Sequence, residues 1–230
     1  VVQKDWQRVI DLCEGNNSIA LNFALGLHPC FIDQHTNVGE AEVALNEAIV
    51  RSTSQEASDG HLVAVGEIGL DYFIESSEED RKEQQALLFM QLVVAKKHNL
   101  PVLLHVRKAH DEVLKCLRRA QLARGGIVHA FSGSEQQANQ YCELGFVLGV
   151  GGSATYDRAK KLARIIRQVS VESLVLETDA PDIPPTFARG KRNTPLNLPR
   201  IAQKVAEIRG IEVAELIQQT TINAQRVLGL

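Results

Sequence analysis

The stretch Val63-Ala-Val-Gly-Glu-Ile-Gly-Leu-Asp71 constrains this chain more than any other. Its apolar run lacks polar alternation, the pattern of a strand buried on both faces, and such strands belong to parallel sheets covered by helices. At its end the run delivers Glu67 and Asp71, with Gly66 and Gly69 beside them. Charged side chains are rarely buried unless they are paired or bind a metal. Three later apolar runs end alike: Val102-Leu-Leu-His105, Gly126-Ile-Val-His129 and Leu174-Val-Leu-Glu-Thr-Asp179. Buried strands that each finish on a metal-ligand residue type predict a shared site at one rim of a sheet.

Periodicity fills the intervals with helices. Trp6, Val9, Ile10 and Cys13 share a helical face over 4–14, stopped by Gly15-Asn16-Asn17, and a strand is expected from Ile19 to Leu27. Helices follow over 39–51, after Asp71 with Leu87, Met90 and Val94 facing in, and over 111–119 with Val113, Leu114 and Leu117 facing in. Strands at 102–106, 127–131, 146–150 and 174–178 alternate with a short helix around Ala138 and Tyr141 and another carrying the stripe Ala159, Leu162, Ala163, Ile166. Helices over 198–208 and from Val213 close the chain. Strict alternation predicts an α/β fold with a parallel sheet, and chemistry-bearing residues at strand ends predict the TIM (β/α) barrel over an open sheet. Gly149-Val-Gly-Gly152 lacks the spacing of a dinucleotide-binding turn. The strand count falls two short of a closed eight. We therefore expect one barrel domain over residues 1–230 that lacks its first one to two βα units.

Composition narrows the classes. A formal charge of -3 gives no general attraction to nucleic acid or an anionic membrane, so a phosphate substrate would need a local basic cluster or metal ions. The four cysteines, with no C-x-x-C pair, read as reduced thiols. With no apolar run near the roughly 18 residues of a membrane span, the expected compartment is the cytoplasm.

Among the histidines, His35, His61, His98 and His110 lie in loop, helix-end or helix-start contexts and are expected to be ordinary surface or structural residues. His105 and His129 differ because each ends a buried strand in consecutive βα units. Glu67 and Asp179 likewise follow strands whose lack of alternation demands neutralisation nearby. Imidazole and carboxylate together suit a divalent first-row cation, and a carboxylate such as Glu67 can bridge two ions. Glu177, two residues before Asp179, is expected on the same strand face. Arg189, Lys191 and Arg192 form a tight basic cluster after the last strand.

Gly-Leu-His-Pro at 26–29, Gly-Glu-Ile-Gly-Leu-Asp at 66–71, His105, His129-Ala-Phe-Ser-Gly-Ser134, Glu177-Thr-Asp-Ala-Pro181 and Arg189-Gly-Lys-Arg-Asn193 occur in that order. Together they closely resemble the TatD family of metal-dependent deoxyribonucleases and hydrolases, amidohydrolase-like TIM barrels. The resemblance implies two divalent cations (Mg, Mn or Zn), bridged by Glu67, with His105 and His129 on one and Asp179 on the other. It implies that His28 acts on the substrate phosphate. The loop carrying Arg189, Lys191 and Arg192 is expected either to contact that phosphate or to be an ordinary solvated charge run, and Glu177 either to bind a metal-bound water or a nucleotide end or to be structural. The family's H-x-H pair on the first strand occurs nowhere in the chain, and Thr194 stands where the family usually has Glu.

The function so implied is hydrolysis of phosphodiester bonds in DNA, single-stranded or at a 3′ end, by a metal-activated water, with no membrane partner and no prediction of oligomeric state. The rival expectations are an amidohydrolase-type enzyme acting on a small amide or ester, and a non-catalytic binding protein on the same barrel.

Overall fold

The computed structural model describes residues 2–14, 21–34, 37–54, 61–74 and 77–230. The expected helix stop at Gly15-Asn16-Asn17, the strand start at Ile19, and His35 lie outside the described residues. Along the described chain, strands alternate with helices: α1 (Trp6–Glu14), β1 (Phe23–Leu25), α2 (Val38–Ser54), β2 (Leu62–Asp71), α3 (Glu78–Lys97), β3 (Val102–Arg107), α4 (His110–Ala120), β4 (Gly126–Val128), α5 (Glu135–Glu143), β5 (Phe146–Val150), α6 (Lys160–Gln168), β6 (Leu174–Leu176), α7 (Leu198–Arg209) and α8 (Val213–Leu228). The chain divides into two compact units, Val1–Gly126 and Ile127–Leu230.

In the first unit β2 runs parallel to β1 on one side and β3 on the other. All of β2 is buried except Glu67, which sits at a register shift between Gly66 and Ile68. Such a bulge re-aims one side chain without breaking the ladder on either side, which is how a strand buried on both faces presents a carboxylate. α3 starts at a capping box of Ser77 and Asp80, and buries Leu87, Met90 and Val94 as its periodicity predicts. α4 buries Val113, Leu114 and Leu117, and His110 with them. His110 was expected at the surface; its position three, four and seven residues before those three places it on the same stripe, so the helix carries it inward.

In the second unit β5 pairs in parallel with β6. Three strands are shorter than their apolar runs suggest. β1 spans Phe23–Leu25, β4 ends at Val128 and β6 at Leu176. Beyond the last two the backbone leaves extended geometry, with Ala130 at φ 43 and Asp179 at φ 56. The stripe on α6 is only half-buried at Leu162 and Ala163, while Ile165 and Ile166 are buried. Gly210 ends α7 in the left-handed conformation, at φ 75. No helix among the described residues is long and apolar enough to cross a membrane.

Candidate metal centre

In the first unit the site grows from the ends of β1, β2 and β3. His28 lies three residues beyond β1, and the carbonyl just before this turn, Gly26 O, accepts the Trp6 indole N–H at 3.0 Å. β3 brings His105 opposite Gly69 of β2. Gly69 has φ 148, and a Cβ there would overlap the His105 carbonyl, so only glycine lets the two strands meet at this level. His105 Nδ1 is 3.2 Å and His28 Nε2 3.5 Å from the same Glu67 oxygen, Oε1. The two imidazole rings are tilted against each other at 4.5 Å.

Asp71 closes this half. It is only 1% exposed, and its Oδ2 meets His105 Nε2 at 2.9 Å and the Cys30 thiol at 3.4 Å. Its Oδ1 accepts the amides of Phe73 (2.9 Å) and Ile74 (3.3 Å). Burial alone would push this carboxyl up, but the His105 and Phe73 hydrogen bonds outweigh it and hold the group below its usual range. Burial, then the charge of Asp71, pushes the Cys30 thiol up to about 12, so the neutral S–H donates to Asp71.

These bonds assign tautomers. In the neutral ring the closer contact, to Asp71 at 2.9 Å, takes the proton on His105 Nε2, and Nδ1 turns its lone pair toward Glu67 Oε1; in the imidazolium Nδ1 donates to Glu67 instead. Two acceptors 3.2 Å apart repel unless a proton or cation lies between them. That separation matches an edge of a coordination shell with ligand bonds of about 2.0–2.2 Å. Glu67 and His105 therefore fit a divalent cation, with Asp71 as the carboxylate that orients the histidine from behind. His28, Cys30 and His105 also present ligand atoms within 4.8 Å of one another.

The second unit repeats the motif with different parts. His129 Nδ1 is 3.3 Å from Glu177 Oε1 and 3.7 Å from Asp179 Oδ1. Glu177 also accepts the Ala130 amide at 2.7 Å, so one carboxylate holds both the ring and the backbone beside it. A Cβ at Gly149 would overlap the Glu177 carboxyl and one at Gly151 would press on its stem, so these two glycines make room for this residue. Glu177 and Asp179 both reach His129, yet not by strand alternation, because β6 ends at Leu176 and Asp179 turns through a left-handed conformation. Asn193 is buried and its amide donates to the carbonyls of Thr178 and Asp182, both at 2.6 Å, on either side of Asp179. Arg189, Lys191 and Arg192 are exposed on the loop leading to this asparagine. His61 is exposed, and His98 bonds Asn46 at 2.8 Å, outside either histidine cluster.

Sequence reasoning expected Glu67, His105, His129 and Asp179 at one site with His28 and Glu177 beside them; the first unit brings together Glu67, His105 and His28, and the second His129, Glu177 and Asp179. It missed Asp71, Cys30 and Asn193 as members. Asp71 carried a signal, since an acid closing a buried strand needs a partner; Asn193 carried none beyond its place in the basic motif.

Parallel strands in alternation with helices, with imidazoles and carboxylates gathered at strand ends, define a metal-dependent hydrolase of TIM-barrel-like α/β fold. The chain belongs to the TatD related DNase family, whose profile matches residues 1–229. It is 41% identical over 220 residues to YjjV of Escherichia coli K12, named an uncharacterized metal-dependent hydrolase, covering 96% of this chain and 80% of that protein. The crystal structure of that TatD homologue superposes with a TM-score of 0.88 at 38% identity, over 99% of this chain and 83% of that one. Human deoxyribonuclease TATDN3 is 30% identical over 225 residues, 97% of this chain and 79% of that protein.

Proposed function

We propose that the chain hydrolyses phosphodiester bonds in DNA, at a single-stranded or 3′ end, using two divalent cations (Mg, Mn or Zn) held by Glu67, His105, His129 and Asp179. Bound there, such cations would lower the pKa of a water and stabilise the attacking and leaving oxygens at phosphorus. Glu67, whose Oε1 faces the His105 and His28 imidazoles, would be the carboxylate ligand shared by the two cations. His105 and His129 each give one ring nitrogen to a carboxylate and offer the other as a ligand. His28 accepts the Cys30 amide on Nδ1 at 3.1 Å, which leaves its proton on Nε2. That N–H is placed to donate to a phosphate oxygen or to a departing alkoxide. Glu177 orients His129, and Arg189, Lys191 and Arg192 neutralise the substrate backbone. We place this activity in the cytoplasm.

The observation that carries this reading is the Glu67–His105–Asp71 arrangement, two facing acceptors backed by a buried carboxylate. The deoxyribonuclease name of the human relative supports DNA as the substrate. The test is digestion of end-labelled single-stranded DNA with Mg²⁺, Mn²⁺ or Zn²⁺, wild type against Glu67→Ala. Stepwise shortening from the 3′ end by the wild type alone is expected. No cleavage with any metal, together with turnover of small aryl esters or amides, would assign the chain to amidohydrolase-type chemistry instead, a substrate class that suits its net charge of -3.

A further inference from the structure

Two glutamines inside α3 are buried as deeply as the apolar core around them. Gln84 is 3% exposed and Gln91 0%. A buried amide is costly unless its donor and acceptor are both met. Each here is met by a single residue's backbone. Gln91 Oε1 accepts the Leu27 amide at 2.7 Å while its Nε2 donates to the Leu27 carbonyl at 3.1 Å. Gln84 does the same to Asp71, at 2.9 and 3.2 Å.

The sheet explains why these two peptides need such partners. Pairing of β1 with β2 stops at Leu25 opposite Val65, while β2 continues to Asp71 along β3. Past Val65, among the described residues, the edge of β2 facing β1 has no ladder partner, and the chain beyond β1 has left its own. A glutamine amide presents an N–H and a C=O side by side, as a neighbouring strand would. Spacing makes the pair act as one piece: residues seven apart on a helix lie about two turns apart on nearly the same face, roughly 10.5 Å along the axis.

What the clamps hold is chemistry. Leu27 is the residue before His28, and Asp71 carries the carboxylate on His105 Nε2. We infer that Gln84 and Gln91 are positioning residues: α3 acts as a rigid gauge that fixes His28 and the Asp71–His105 pair relative to Glu67. The inference rests on the proposed metal site, but not on DNA as its substrate.

The test compares Gln84→Met and Gln91→Met with Leu88→Ala, a buried position between them that makes no clamp. Mn²⁺ affinity and the kcat and KM for an activated phosphodiester, bis(p-nitrophenyl) phosphate, are measured well below the lowest melting midpoint. The clamp predicts Mn²⁺ affinity or kcat lowered by about tenfold or more in the glutamine variants, with KM little changed and Leu88→Ala within about threefold of wild type. Glutamine variants within threefold of wild type, or a Leu88→Ala loss as large as theirs, would overturn it. If a Met variant does not fold, Gln84→Asn or Gln91→Asn keeps the polar groups but withdraws the amide by one methylene, and the same thresholds apply. A wild type that binds Mn²⁺ but leaves DNA intact would defeat the DNA reading alone, since the clamp is judged on Mn²⁺ affinity.

Discussion

His105 lies inside a six-residue strand and its carboxylate partner, Asp71, is 1% exposed, whereas His129 follows a three-residue strand and its partner, Glu177, is 19% exposed. The first pair closes at 2.9 Å and the second at 3.3 Å. Asp71 is gripped by its own loop amides, a thiol and a glutamine clamp; Glu177 has one backbone amide and room made by glycines. The same chemical device, a carboxylate behind an imidazole, is thus built once on regular strands and once on irregular backbone. The first should be stiff and costly to disturb, the second adjustable.

Removing a ligand should have the largest effect and show whether both halves serve one reaction. Glu67→Ala in the first half and Asp179→Ala in the second should each lower metal-dependent hydrolysis by about a thousandfold. Inductively coupled plasma analysis alongside steady-state rates checks this. Equal loss from both would tie the halves together; loss from Glu67→Ala alone would leave the second half without a catalytic role.

The carboxylates behind the histidines separate the halves more finely. Asp71→Asn should cost about 2–4 kcal/mol of stability, because a fully bonded buried charge is replaced by a group that mismatches its donors. Glu177→Gln should cost about 1 kcal/mol or less, as a partly exposed pair. Both should weaken metal binding, by roughly 10–100-fold. Melting curves and metal titrations on the same samples decide it, and a Glu177→Gln loss as large as that of Asp71→Asn would break the contrast. A smaller effect is expected at Gly149→Ala. Its methyl group would push the Glu177 carboxyl aside, and a chain that is not locked can yield, so activity should fall by about three- to tenfold with little change in melting.

The contrast also bears on what was legible in the sequence. β2 announced itself because an unbroken apolar run ending in acids fits little besides a strand buried on both faces, and helices α3 and α4 followed from their periods. The ends of β4 and β6 did not. Local pattern extends a strand as long as residues stay apolar, while tertiary bonds to His129, Ala130 and Glu177 decide where it stops. Gln84 and Gln91 are polar residues three and four positions from Leu87 and Leu88 on the same helical stripe, so α3 carries them inward onto Asp71 and Leu27. His110 was hidden likewise, a polar residue carried along on an apolar stripe.

Acid titration supplies the smallest and most specific test of the stiff half. The Asp71 carboxyl is held below 3.8 in the folded chain, where burial is outweighed by the bonds from His105 and Phe73. A carboxyl lowered on folding adds stability that is fully present above its unfolded value, about 3.9, and is lost as pH falls through the folded value beneath it. In the metal-free protein, the gap in melting midpoint between wild type and Asp71→Asn should therefore be constant above about pH 5 and narrow steadily below about pH 4. A gap that stayed constant down to pH 2 would mean that the carboxylate charge contributes nothing beyond the shape of the side chain, and the rigidity of this half would then have to come from the strand ladder and the glutamine amides alone.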